Sequence, residues 1–264
     1  MLKKLIFTSL ILAMAALVLS VSPVLAKNDD NTDDDWAIPE QNGVYDVPGH
    51  PNLKVRVFVH YPKVKETKPL QCSYSDPDST AMVSPAGWEL PAGEWKYYLN
   101  AGSAPSSVGS SKFSNLTNLS FETWQGTEIN AAGVIFKNAG VTTLSKKALD
   151  GKNIVAFGSA PGSALGITYI WYYQSTGLAV ETDTIMNKKF SWTWTPFSPT
   201  ACPNLVTYDA QDILTHELGH WVGLDDEYTT IYRNNTMYGY GFKGEINKDT
   251  LTTGDIDGVT AIYQ

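Results

Sequence analysis

The sequence predicts a mixed α+β domain, from the order and type of its periodic segments. Apolar segments bounded by turn residues favour strands through most of the chain. Two longer segments with helical spacing lie among and after them, and a short helical segment ends the chain. Strands first, with two long helices, a late C-terminal helix and no internal repeat, indicate an α+β or mixed α/β arrangement.

The bulk composition limits the class of protein. At 264 residues and 43% hydrophobic content, the chain can bury a core and is not expected to be disordered. Its net charge of −8 gives it no basic surface for nucleic acid. We therefore set nucleic-acid binding aside.

The N-terminus predicts export. Residues 1–26 combine two lysines, an apolar run and a small-residue Val-Leu-Ala end, which is typical of a cleaved signal peptide. A retained membrane anchor is the alternative, but the apolar run is short for a spanning helix. We expect a secreted, extracellular monomer with no membrane association after cleavage. Residues 27–87 are interpreted as an N-terminal extension of acidic linker, strand and loop, and as a candidate pro-segment.

The expected strands and helices follow in chain order. The strands are LKVRVFVHYP (Leu53 to Tyr61), EWKYYLNAG, KNIVAFGSA, ALGITYIWYYQ and GLAVETDTIMN. The helices are LTNLSFETWQGTEI, YDAQDILTHELGHWVGL and LTTGDIDGVTAIYQ. Leu214, Leu218, Trp221 and Val222 form the apolar face of the second helix. In the last one Thr252 can cap the N-terminus, with Asp255 placed for a capping box.

The segment HELGHWVGLDD carries the chemistry. His216 and His220 are four residues apart, so on a helix both imidazoles project from one face and can share one zinc ion. Glu217 lies beside them and is placed to act as general base on a metal-activated water. An accidental HExxH string is the alternative, but the chain has no histidine after His60 outside this motif.

The third metal ligand is predicted to be Asp226. Gly223 can adopt the left-handed conformation that ends a helix, and the chain would then bring Asp226 back to the metal. A carboxylate oxygen is an acceptable zinc ligand. A distant glutamate such as Glu245 is the alternative third ligand.

At this point the chain resembles the metzincin zinc peptidases, in particular matrixin-like bacterial members with aspartate as third ligand. HELGHWVGLDD resembles their zinc signature, NNTMYGYG their Met-turn, and TLTTGDIDGVTAIYQ the terminal helix of the matrixin branch. GLAVETDTIMNKKFSW is similar to the matrixin edge strand. The resemblance covers residues 88–264, which we expect to be the peptidase domain.

The resemblance implies both a fold and an activity. It implies a twisted, mostly parallel five-stranded sheet with a backing helix and an active-site helix, and a small C-terminal subdomain with the Met-turn. Met237 would pack beneath the metal, and an extended peptide would pair with an edge strand near residues 177–187. The implied function is a secreted zinc endopeptidase acting on protein or peptide substrates. A catalytically inactive extracellular binding module on the same scaffold is the alternative.

The chain departs from the matrixin pattern in its pocket wall and its cysteines. Gly239-Tyr240-Gly241 replaces the usual Pro-x-Tyr wall, and either Tyr238 or Tyr240 is a candidate to stabilise an oxyanion. Cys72 and Cys202 are the only cysteines, and we favour a disulfide over a latency role for Cys72.

Calcium is the second cofactor that the sequence admits. Its candidate ligands are Asp225, Glu227, Asp150 and Asn153. Asp183 is a candidate for a metal-binding or loop-holding role. We favour solvated loop carboxylates for the first two, an Asp-Gly turn for Asp150, and an outward-facing strand position for Asp183.

Overall fold

The computed structural model describes residues 36–63, 76–196, 198 and 202–264. Residues Ala37–Gln264 belong to one compact unit. The predicted signal peptide and Cys72 lie outside the described residues. Cys202 is disulfide-bonded.

A single mixed sheet organises the described chain. Its long strands are β1 (Gly43–Val47), β2 (His50–Pro62), β3 (Gly93–Asn100), β4 (Val134–Val141), β5 (Asn153–Gly158), β6 (Gly166–Tyr173) and β7 (Ala179–Asn187). Three two-residue strands follow: β8 (Trp192–Thr193), β9 (Tyr208–Asp209) and β10 (Tyr240–Gly241). The order across the sheet is β1-β2-β6-β7-β5-β3-β4, with β10 pairing to β2. Strands β8 and β9 pair separately.

Strand direction changes across the sheet. Strands β4, β3, β5 and β7 are joined by parallel pairings, whereas β7, β6, β2 and β1 are joined by antiparallel ones. Residues 88–264 supply five long strands of this sheet, β3 to β7, which is the number expected for that part of the chain. Among the described residues the sheet has eight strands, because the N-terminal extension adds β1 and β2 and the two-residue β10 pairs with β2. The sequence pattern missed β1, which is short, and β4, whose side chains are mostly exposed and lack a clear alternation.

In the described ranges, four α-helices accompany the sheet. They are α1 (Ser110–Gln125), α2 (Glu128–Ala131), α3 (Ala210–Trp221) and α4 (Thr253–Tyr263). Every residue of α3 is buried, because the helix lies between the sheet and α1. Helix α4 begins with the predicted capping box, in which Thr252 and Asp255 bond each other's backbone N–H groups.

The core lies between the sheet and the two long helices. From α1 it takes Phe113, Leu116, Phe121 and Trp124, and from α3 it takes Ile213, Leu214, Leu218 and Trp221. Trp124 also donates a hydrogen bond from Nε1 to the backbone oxygen of Thr215 at 2.8 Å. This bond fixes the rotation of α3 relative to α1, so the opposite side of α3 faces the sheet.

The N-terminal extension is part of the sheet. Strand β2 pairs with β6 from Leu53 to His60, and residues 37–264 form one compact unit. The boundary expected at residue 87 is therefore not a division between compact units. The predicted edge strand near 177–187 is also corrected: β7 is internal, with β6 on one side and β5 on the other.

Candidate metal centre

Helix α3 presents the two histidines from a firmly capped start. Asp209 precedes the helix, and its Oδ1 accepts hydrogen bonds from the N–H groups of Gln211 at 2.9 Å and Asp212 at 3.3 Å. These bonds satisfy N–H groups that the first helical turn leaves without partners. His216 and His220 follow on one side of the helix, both 0% exposed.

The turn after α3 depends on Gly223. Its φ is +99°, in the region that residues with a Cβ rarely adopt. A Cβ at this position would also lie 2.4 Å from the backbone oxygen of Trp88. The indole Nε1 of Trp88 donates to the backbone oxygen of His220 at 3.0 Å, so the same residue holds the helix end. The predicted role of Gly223 is confirmed.

The turn brings Asp226 to the histidines. Its Oδ1 lies 3.2 Å from His216 Nε2 and 3.6 Å from His220 Nε2. The three residues each offer a ligand atom within 4.8 Å of the others, and together they could hold a metal ion. Although these separations are in the range of an ion pair, none of the three atoms makes a hydrogen bond of acceptable geometry. Three buried polar atoms converge without satisfying one another.

The other nitrogens of the two imidazoles fix their orientation. Nδ1 of His216 lies 2.7 Å from the backbone oxygen of Thr236, and Nδ1 of His220 lies 2.9 Å from that of Leu224. Because a carbonyl only accepts, each neutral ring donates its hydrogen there and leaves a lone pair on Nε2. Burial lowers the pKa of His216 well below its usual value and that of His220 to about 3, so both rings are neutral at pH 7.

The carboxyl of Glu217 lies beside this cluster. Its Oε2 accepts a hydrogen bond from Thr168 Oγ1 at 2.5 Å, and its buried Oε1 has no hydrogen-bond partner. Burial raises the pKa of Glu217 to about 8, and the bond from Thr168 partly opposes that rise. A cation nearby would lower the pKa again by favouring the carboxylate.

A short chain of hydrogen bonds holds Glu217 from the sheet side. Because the single hydroxyl hydrogen of Thr168 goes to Glu217, Thr168 accepts from Thr184 Oγ1 at 2.7 Å. Thr184 in turn accepts from Trp221 Nε1 at 2.9 Å. Neither threonine was predicted as part of the site. Both alternate with apolar residues along their strands, but only the register between the two strands shows that they lie next to each other.

Met237 is buried against α3 at Gly219. A Cβ on Gly219 would lie 2.1 Å from Met237 Sδ, so the absence of a side chain there is what admits the thioether. The N–H groups of Thr236 and Met237 donate to the carboxylate of Asp255 at 2.9 and 3.2 Å. Asp255 therefore holds the segment whose carbonyl orients His216, and links α4 to the cluster.

Asp225 and Glu227, which flank Asp226, bind protein groups. Asp225 Oδ1 pairs with Arg56 at 3.2 Å, and Glu227 Oε1 accepts from the N–H and hydroxyl of Ser84 at 3.0 and 2.7 Å. Both are loop carboxylates that stay partly exposed, as expected, with 40% of the Asp225 side chain accessible, and each also binds a protein group. They tie the loop to β2 and to the segment before β3.

The other candidate metal ligands hold a loop. Asp183 is 1% exposed, not outward-facing, and accepts from the N–H groups of Ala148 and Ile154, each at 3.0 Å. Burial raises the pKa of its carboxyl well above the usual value. Asp150 accepts from Lys152 N–H at 3.1 Å, as expected for the Asp-Gly turn.

Glu245 lies apart from the metal cluster. Its Oε2 accepts from Phe242 N–H at 3.2 Å, and Oε1 lies 3.9 Å from Arg233. Among the described residues, the group able to hold a metal contains Asp226 and not Glu245. Tyr238, a candidate for oxyanion stabilisation, is fully buried and its hydroxyl accepts from Lys63 at 3.2 Å.

Two residues of β2 contact the cluster, and neither was predicted as part of the site. The Phe58 ring stacks on the His220 ring, with centroids 3.6 Å apart and planes 5° apart. His60 meets His216 edge-on at 3.9 Å and lies 3.9 Å from Glu217 through Nδ1. His60 is 1% exposed, and neither ring nitrogen has a hydrogen-bond partner. Only the pairing of β2 with β6, over a long sequence separation, brings them here.

No family model matches the sequence, and no curated protein matches it. In the described part of the chain, no helix has the length and apolar character needed to cross a bilayer. The function therefore has to be argued from the site.

Proposed function

We propose that the protein is an exported zinc-dependent endopeptidase. The observation that carries this proposal is the convergence of three buried, unsatisfied ligand atoms from His216, His220 and Asp226 beside the carboxyl of Glu217. Two neutral imidazoles and one carboxylate are a ligand set that zinc accepts, and three protein ligands leave room for substrate. The metzincin resemblance of the same segment supports the same conclusion.

In this proposal Glu217 moves the proton. When bound, a zinc ion supplies a Lewis acid that polarises a carbonyl and lowers the pKa of water. The unpartnered Oε1 of Glu217 takes the proton from the attacking water and delivers it to the amine that leaves. Thr168 orients this carboxyl through Oε2, and its bond leaves Oε1 free for the transfer.

The substrate class follows from the sheet. Where β6 passes the cluster, its backbone pairs with an extended segment of the same chain, β2, and such pairing reads little of a side chain's identity. This favours peptide bonds within extended segments of protein. The rival, an inactive binding module, would bind zinc and peptides without hydrolysis, and it gives no account of the buried Glu217 carboxyl.

The test is hydrolysis of a quenched fluorescent peptide library by the zinc-loaded protein. We expect cleavage that a chelator abolishes and zinc restores. Glu217→Gln should keep zinc and lose at least about 1,000-fold in kcat/KM, equivalent to about 4 kcal/mol of transition-state stabilisation. Glu122→Gln, on the exposed side of α1, is the matched control and should match the unaltered protein. Equal activity of both variants would remove Glu217 from the mechanism.

A further inference from the structure

Strand β2 is held on both sides where it passes the metal cluster. On one side it runs antiparallel to β6, and Leu165 N–H donates to the His60 backbone oxygen at 2.8 Å. On the other it runs parallel to β10, and Lys63 N–H donates to the Gly241 backbone oxygen at 3.0 Å. An extended segment is thus held between two strands by main-chain hydrogen bonds. This is how a peptide is held when it adds a strand to a sheet.

The side chain of His60 fills a pocket next to the cluster. The pocket is lined by Leu165, Ile213 and Gly241. A Cβ on Gly241 would lie 2.7 Å from the Leu165 side chain, 2.8 Å from the Ile213 side chain and 3.1 Å from His60 Nε2. Buried polar side chains in folded proteins are almost always bonded, yet both ring nitrogens of His60 lack partners. The ring lies against His216 and near Glu217. Although His60 is not one of the three residues that could hold a metal ion, its ring fills the space directly beside them.

Two further contacts of β2 cover the same centre. The Phe58 ring lies flat on His220, and Arg56 pairs with Asp225, the neighbour of Asp226. Phe58 and His60 are at most 1% exposed. A peptide approaching along β6 would need the backbone groups that β2 already uses, and would meet Phe58 and His60 in place of open ligand positions.

We infer that the hairpin β1–β2, residues 43–62, is a built-in occupant of the substrate cleft that keeps the peptidase latent. It stands where an extended substrate would lie, with His60 seated in the pocket beside the metal ligands. This inference rests on the proposed function. A peptide can enter only after the hairpin has left β6 and β10.

The first test cuts the full chain after the hairpin, so that the hairpin can leave the rest of the protein. The recognition sequence of a site-specific protease is placed between Lys63 and Cys72, so that cutting frees the hairpin while Cys72 stays with the rest. On the zinc-loaded protein we expect cutting and removal of the hairpin to raise both peptide hydrolysis and affinity for a peptide hydroxamate at least about 100-fold. A hundredfold gain corresponds to about 2.7 kcal/mol of competition removed. The same cut made in Glu217→Gln should give the gain in hydroxamate affinity without hydrolysis.

The outcomes distinguish the two proposals. An uncut chain that hydrolyses peptide and binds hydroxamate as well as the cut chain would overturn the latency inference and leave the peptidase intact. A gain in hydroxamate affinity without hydrolysis by the cut, otherwise unaltered chain would support the occupied cleft and overturn the peptidase. No gain in either measurement would overturn the inference.

A second test leaves the hairpin attached to the chain. In the uncut, zinc-loaded chain, His60→Ala should raise the affinity for the peptide hydroxamate at least about tenfold, because loss of the imidazole from its pocket weakens the hold on the hairpin and lets it leave β6 and β10 more often. His50→Ala is the matched control, since His50 is exposed at the start of the same strand. Cobalt substituted for zinc gives a reading independent of activity: its visible absorption should change in His60→Ala and not in His50→Ala. Unchanged affinity and spectrum in His60→Ala would exclude His60 as the blocking group.

Discussion

Replacing Gly223 by alanine tests how the chain returns Asp226 to the histidines. A residue with a Cβ in the left-handed region costs about 1–2 kcal/mol, and Gly223 has a φ of +99°. The new Cβ would also lie 2.4 Å from the Trp88 backbone oxygen, and relieving such an overlap typically costs a further ~1–3 kcal/mol. We therefore expect Gly223→Ala to lose about 2–5 kcal/mol of unfolding free energy.

The metal site should report the same change. Moving the turn displaces Asp226 from the two imidazoles, so zinc affinity should fall at least tenfold, or about 1.4 kcal/mol. Urea unfolding of the metal-free protein and competition with a chromogenic chelator give the two values. Gly126→Ala is the control, because Gly126 has a φ of −72° and its Cβ would meet no atom closer than 3.6 Å. The reasoning would be refuted if Gly223→Ala kept both the unfolding free energy and the zinc affinity of the unaltered protein.

Three further predictions address the cluster and its supports. Asp226→Ala should weaken zinc binding at least about 100-fold and Glu245→Gln should not, by chelator competition; the reverse result would make Glu245 the third ligand. Burial raises the pKa of the Asp209 carboxyl to about 6 in the folded state, above the ordinary aspartate pKa that applies in the unfolded chain. The stability that this carboxyl contributes is therefore lost as the pH rises from that ordinary pKa through about 6. Between about pH 4 and 7, Asp209→Asn should therefore gain about 3 kcal/mol relative to wild type in denaturant unfolding; parallel pH curves would contradict this. Gly219→Ala should lose about 1–3 kcal/mol of stability through overlap with Met237, and Met237→Ala in the same chain should recover part of it; simple additivity would exclude the contact.

The parts of the site predicted from sequence are those that local geometry determines. The spacing of His216 and His220 on a helix places both imidazoles on one side whatever packs around them. The left-handed turn at Gly223 then reverses the chain and brings Asp226 back to the two imidazoles. The capping box of Thr252 and Asp255 is equally local, since both partners lie within one helical turn.

The parts that were not predicted depend on pairing between distant segments. His60 reaches the cluster only because β2 aligns with β6 in a register that puts His60 opposite Gly166. The extension was interpreted as separate from the catalytic domain, and Cys72 was the one residue of it considered as a metal neighbour, so His60 was not predicted there. Asp183 was placed outward because strand alternation cannot show that β7 is covered on both faces.

The hydrogen bonds around Glu217 also depend on pairing between segments that are distant in the sequence. Thr168 and Thr184 belong to adjacent antiparallel strands and are direct partners in the register. Neither residue type signals chemistry by itself, and threonine is common in strands for steric reasons alone. They can hydrogen-bond around Glu217 only because the folded sheet places both of them against α3.

The central claim is that His216, His220 and Asp226 together bind one zinc ion, and X-ray absorption at the zinc edge tests it most directly. In the zinc-loaded protein the account predicts one ion per chain, two imidazole nitrogens at about 2.0–2.1 Å and a carboxylate oxygen at about 2.0–2.2 Å. Asp226→Ala should lose that oxygen from the spectrum. A protein that takes up no zinc, or whose zinc shows sulfur at about 2.3 Å, would contradict the account.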